Sequence, residues 1–130
     1  MEELIKLGID NNELEKIISG VNNINLLSND EVKDKINYLI SLNASIEEIK
    51  NIIICNSSYL VRLDKDVKNL VNCLINYGFI NLNSLFDSNP FILNLDAFEV
   101  DNYIKERLKN EELEIIVNDL IDNPDIFNEI

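Results

Sequence analysis

The chain repeats itself. Leu4, Leu7 and Gly8 return 35 residues later as Leu39, Leu42 and Asn43, and after a further 35 as Leu74, Tyr77 and Gly78. Ile17 and Ile18 are matched by Ile52 and Ile53, and Val32, Lys33 and Ile36 by Val67, Lys68 and Val71. A fixed period of this length is the mark of stacked supersecondary units, each too small to bury its apolar face alone. The most complete copy runs from Leu39 to Leu74, and residues 1–130 are read as one array of about three and a half units in a single domain.

Each unit reads as a pair of helices. Asp10 with Glu13, Ser28 with Glu31, Ser45 with Glu48 and Asp96 with Glu99 have the form of capping boxes. In that form a cap side chain accepts from an orphan backbone N–H and the acid reaches back. Asp64, Asn81 and Asn110 supply plain caps, giving seven helix starts. Apolar residues between the caps follow helical spacing: Ile49, Ile52 and Ile53 on one face, and Val67, Leu70, Val71 and Leu74 on another. Between the two helices of a unit lies a polar stop followed by apolar residues: Asn22–Leu27, Asn56–Val61, Asn89–Leu93 and Asn123–Phe127. Proline after asparagine ends the first helix in the last two copies, and the apolar residues should fill the gap between units as a short 3₁₀ turn. The expected fold is all-α: a solenoid of three to four helix-pair repeats with a period of about 33–35 residues.

The order helix, Asn-Pro-type stop, cap, helix, Leu-x-x-Leu-Gly is seen in Ile24–Ile53, and it resembles the repeat of the mitochondrial transcription termination factor family (mTERF-like). The resemblance extends over nearly the whole chain. Asn23 and Ser57 depart from it where the pattern has proline, and Asn43 where it has glycine. It implies two α-helices and one 3₁₀ helix per unit in a left-handed superhelix, and binding of nucleic acid along a basic concave surface. Tetratricopeptide and pentatricopeptide repeats fit less well, because they need small residues at close helix crossings and this chain has only Ala44, Ala97 and three glycines.

No residue set points to catalysis. Histidine, the commonest general base and metal ligand, does not occur. Neither a phosphate loop nor a cysteine cluster occurs. The acid pairs Glu2-Glu3, Glu47-Glu48 and Glu111-Glu112 lie near helix starts, where negative charge offsets the dipole; adjacent acids diverge by about 100° on a helix and cooperate poorly. The chain is therefore read as a non-enzymatic module that takes no metal and no cofactor. Cys55 and Cys73 are expected as reduced thiols packed among apolar residues, and the cytoplasm is the expected compartment. No run is apolar enough to span a bilayer, and the first ten residues are too acidic for a signal peptide. Abundant asparagine and isoleucine read as a coding bias without a mechanism of their own.

Charge divides the two functions that remain. Formal net charge is −13, and from Asp96 onward there are 11 acids against 3 bases. Such a surface repels phosphate and favours a basic protein partner. Asp101, Glu106, Glu112, Asp119 and Asp122 are the candidate acidic face for that partner, the leading reading. The alternative is nucleic-acid binding by Lys33, Lys35, Arg62, Lys65 and Lys68, a partial stripe that ends in the third unit, where Asp101 replaces Lys68. Tyr38, Tyr59, Tyr77 and Tyr103 could stack on bases, although Tyr59 and Tyr77 occupy apolar repeat positions and are expected in the core with exposed hydroxyls. Phe91, Phe98 and Phe127 are expected as core or inter-unit plugs.

Overall fold

A computed structural model describes every residue from Met1 to Ile130. The chain is all-α. Its helices are α1 (Glu2–Lys6), α2 (Asn11–Gly20), α3 (Asn29–Ser41), α4 (Ile46–Cys55), α5 (Asp64–Asn76), α6 (Leu82–Ser88), α7 (Ala97–Leu108) and α8 (Leu113–Asp122). Four 3₁₀ segments lie between the helices of each pair or after α8: η1 (Ile24–Leu26), η2 (Ser57–Val61), η3 (Pro90–Asn94) and η4 (Pro124–Glu129). The order α, 3₁₀, α thus recurs as α2–η1–α3, α4–η2–α5 and α6–η3–α7, with α8–η4 as a partial fourth copy. No helix is long and apolar enough to cross a membrane.

Three of the expected capping boxes form in full, at Asp10, Ser28 and Ser45. Four other starts differ from expectation. Asp96 caps α7 through the Phe98 N–H, without Glu99. Leu63 precedes α5, so Asp64 is already helical and free to pair elsewhere. Asn81 begins α6 with φ 52° and no side-chain cap, and Glu112, not Asn110, precedes α8.

The three Leu-x-x-Leu-Gly-type sites share one geometry. Gly8, Asn43 and Gly78 have φ of 91°, 68° and 96°. This left-handed residue lets the chain fold back, so that Ile9, Ala44 and Phe79 donate to the carbonyls of Leu4, Leu39 and Leu74. Those same leucines are at most 1% exposed, so one residue both closes a helix and anchors it in the core. The fourth site departs. Thirty-three residues beyond Leu74 stands Arg107, and no left-handed residue follows α7.

Packing joins like to like across units: α4 lies on α6, α5 on α7, η2 on η3 and η3 on η4. The core is one cluster of 28 buried apolar residues from Leu4 to Phe127. The first full unit is joined differently. Neither α2 nor η1 packs on its counterpart in the next unit to a comparable extent, and α3 instead meets η2 and α4. Expected plugs divide as well: Phe127 is fully buried, whereas Phe91 and Phe98 are 53% and 70% exposed.

Asparagine joins the later units. Asn56, buried where α4 ends, donates from Nδ2 to the Pro90 carbonyl at 2.9 Å. It also exchanges paired amide bonds with Asn94, at 3.1 and 2.9 Å. Asn89 repeats the donating half of the arrangement one unit on, to the Pro124 carbonyl and to Asn128 Oδ1, both at 3.0 Å, while its own Oδ1 accepts from the Phe91 N–H. Asn94 and Asn128 are each the fifth residue of their 3₁₀ segment; the fifth residue of η2 is Val61, which cannot form such a rung with Asn22.

Candidate functional site

The five cations of the expected phosphate stripe are not equivalent in space. Lys35 is buried, and its Nζ donates to the Arg62 carbonyl and pairs with Asp64 at 2.8 Å. Its ammonium lies 5.1 Å from the ring centre of Tyr59, whose hydroxyl donates to the Lys35 carbonyl at 2.7 Å. Counting from the matched pair Lys33 and Lys68, Lys35 occupies the place of the core residue Leu70. Arg62 is half-buried and spans to the next unit, donating to the carbonyls of Leu93 and Leu95. Burial lowers its guanidinium pKa below the ordinary range. Lys33, Lys65 and Lys68 remain exposed. Two of the five are therefore fasteners within the fold, and the stripe narrows to three.

The five acids also separate. Asp101 accepts from the Tyr77 hydroxyl and pairs with Lys105 at 2.8 Å. Lys105, then Tyr77, hold its carboxyl below the usual carboxylate range. The Tyr77 hydroxyl is itself pushed up to about 12, by burial first and by Asp101 second. Glu106 pairs with Lys109 at 2.9 Å. Asp119 accepts from Arg107 at 2.8 Å, at the junction of α7 and α8. Arg107 also holds Glu111 with two bonds of 2.7 and 2.8 Å and reaches the Tyr103 hydroxyl. Glu112 and Asp122 are exposed without a paired cation. Asp101 faces α5 while Asp119 faces α7, so these acids are distributed over two helix junctions.

What the structure does bring together lies along the second helices of the units. A groove of about 340 Å³ separates α3 from α5, with Asp34, Asn37, Tyr38 and Ser41 on one wall and Asp64 and Lys68 on the other. Fully buried Tyr59 forms its floor, its hydroxyl buried on the Lys35 carbonyl and not exposed as expected. The equivalent groove between α5 and α7 holds about 480 Å³. Asn69, Asn72 and Asn76 line its α5 wall, the first two being the counterparts of Asp34 and Asn37, and all three are exposed with no partner in the chain. Ala97, Phe98 and Asp101 line its α7 wall. At the start of α7 it continues into a smaller recess bounded by Arg62, Asp66 and Asp96. Half-buried Cys73 lies within this groove, its thiol pKa raised by burial and by Asp101, while Cys55 is exposed.

The sequence assigns these asparagines no role beyond their abundance, and Phe98, expected as a core or inter-unit plug, lies 70% exposed instead. The available signal was their spacing: positions 69, 72 and 76 share one face of α5, opposite the face carrying Leu70, Val71 and Leu74. The groove offers amides that both donate and accept, an exposed ring and carboxylates at its rim. No three carboxylate or thiol side chains converge closely enough to hold a metal ion. Compared with models of known protein families and with curated proteins, the chain matches none.

Proposed function

We propose that this protein is a non-enzymatic interaction module whose partner is a protein of basic character. The observation that carries the reading is the fate of Lys35 and Arg62. Both side chains are spent on carbonyl oxygens that tie successive units together, which leaves Lys33, Lys65 and Lys68 as the exposed remnant of the stripe. Three cations on a chain of net charge −13 give phosphate little to bind, whereas a cationic polypeptide meets attraction from most directions. The recurring α–3₁₀–α order supports reading the units as a helical solenoid of the kind found in the mTERF-like family. Free thiols at Cys55 and Cys73 agree with a reducing compartment such as the cytoplasm.

The test sets labelled duplex DNA, single-stranded RNA and a labelled lysine-rich peptide against the protein at low salt, read by fluorescence anisotropy. Binding of the peptide alone is the expected result. Salt-sensitive binding of either nucleic acid, lost in Lys33→Glu with Lys68→Glu, would overturn the reading in favour of phosphate recognition.

A further inference from the structure

We infer that the groove between α5 and α7 holds an extended, basic segment of the partner polypeptide and reads its main chain through Asn69, Asn72 and Asn76. The inference rests on the protein-binding reading above and names the form of the ligand. Two groups of asparagines contrast. Asn56 and Asn89, where α4 and α6 end, are joined across units to Asn94 and Asn128. Those on the groove wall of α5 are exposed and bond to no other residue. A side-chain amide has the donor and acceptor of a peptide group, and the reciprocal Asn56–Asn94 pair is the arrangement it adopts with another amide. A row of free amides is thus suited to a polypeptide backbone that carries unpaired N–H and C=O groups of its own.

Dimensions agree with an extended ligand. From Asn69 to Asn76 an α-helix rises about 10 Å, the length of about three extended residues. The continuation toward Arg62, Asp66 and Asp96 lengthens the track to about five residues. Charge agrees with a basic one. Asp66 and Asp96 stand at one end of the track beside the half-buried Arg62 guanidinium, and Asp101 on its wall shares Lys105, so carboxylates outnumber cations along it. Phe98 lies 70% exposed at the rim, where its ring face can receive a lysine or arginine side chain.

The probe is a fluorescein-labelled peptide of alternating lysine and threonine, together with the same peptide N-methylated at every second residue. Both carry the same charge, but the second has lost half of its main-chain donors. We expect the first to bind and the second to bind about ten-fold more weakly. Asn72→Ala with Asn76→Ala should weaken the first peptide by a similar factor without changing the melting temperature, because both positions are exposed. In ¹⁵N spectra the side-chain amides of Asn69, Asn72 and Asn76 should shift on titration. Equal binding of the two peptides, unaffected by the asparagine substitutions, would overturn the groove inference and leave the protein-binding reading standing. Failure of every basic peptide to bind at low salt would overturn both.

Discussion

Asn89 does for Pro124 and Asn128 what Asn56 does for Pro90 and Asn94, at nearly the same distances. A buried amide at the ends of α4 and α6 bonds a carbonyl and an exposed asparagine of the next unit, so a polar rung lies beside the apolar core at these two interfaces. Replacing Asn56 with alanine strands the Pro90 carbonyl, while exposed Asn94 keeps Ser58 and solvent. The expected loss is about 1–3 kcal/mol in urea unfolding. Asn123→Ala, at the exposed equivalent whose Nδ2 bonds only Asp119 of its own helix, should cost less than about 0.5 kcal/mol.

Lys35 can be tested by charge and by shape separately. Lys35→Met keeps the volume and leaves exposed Asp64 to water, so stability should stay within about 1 kcal/mol of the parent. Lys35→Glu places a second carboxylate beside Asp64 and the Arg62 carbonyl, and should cost about 3 kcal/mol or more. Equal effects from the two substitutions would mean that volume alone matters there.

Arg107 replaces the leucine of the earlier units and closes the end of α7 by ion pairs. It holds the Glu111 carboxyl below its ordinary 4.5. A carboxyl whose pKa is depressed on folding stabilises above its unfolded value, and that contribution fades as pH falls through the folded value. In Arg107→Leu, the drop in melting temperature between about pH 6 and pH 3 should therefore be smaller than in the parent. Added salt at neutral pH should narrow the difference between the two proteins.

Gly78→Ala isolates backbone strain. An added Cβ would meet no atom within 4 Å, so only the positive φ of 96° opposes it. The cost should be about 1–2 kcal/mol by chemical denaturation. Asn43→Ala, at φ 68°, should cost a comparable amount.

The helices, their order and the 3₁₀ segments were legible because they depend on local signals: caps, apolar spacing and the Asn-Pro stops. Helix starts were misplaced where a cap could act only through tertiary context, as at Asp64, which serves Lys35 instead. The buried lysine was itself readable in principle, since the same period that paired Lys33 with Lys68 sets Lys35 against Leu70. Arg107 against Leu74 is a second case, one residue type breaking an otherwise apolar column. The asparagine rungs were not legible in this way. Recurrence of Asn56, Asn89 and Asn123 explains helix termination equally well, and only the approach of one unit to the next reveals what their amides bond. Tyr59 shows the same limit: the apolar column located its ring, but the Lys35 carbonyl that takes its hydroxyl belongs to another unit.

Because Val61 interrupts the rungs between the first full unit and the second, the molecule is uneven in its resistance to opening. Amide protons of α2 should exchange with solvent through a local excursion that leaves α4 to α7 intact, while those of α5 and α7 exchange only when the whole domain unfolds. A single hydrophobic side chain in one 3₁₀ segment would thus divide a nearly periodic chain into two cooperative blocks of unequal lifetime.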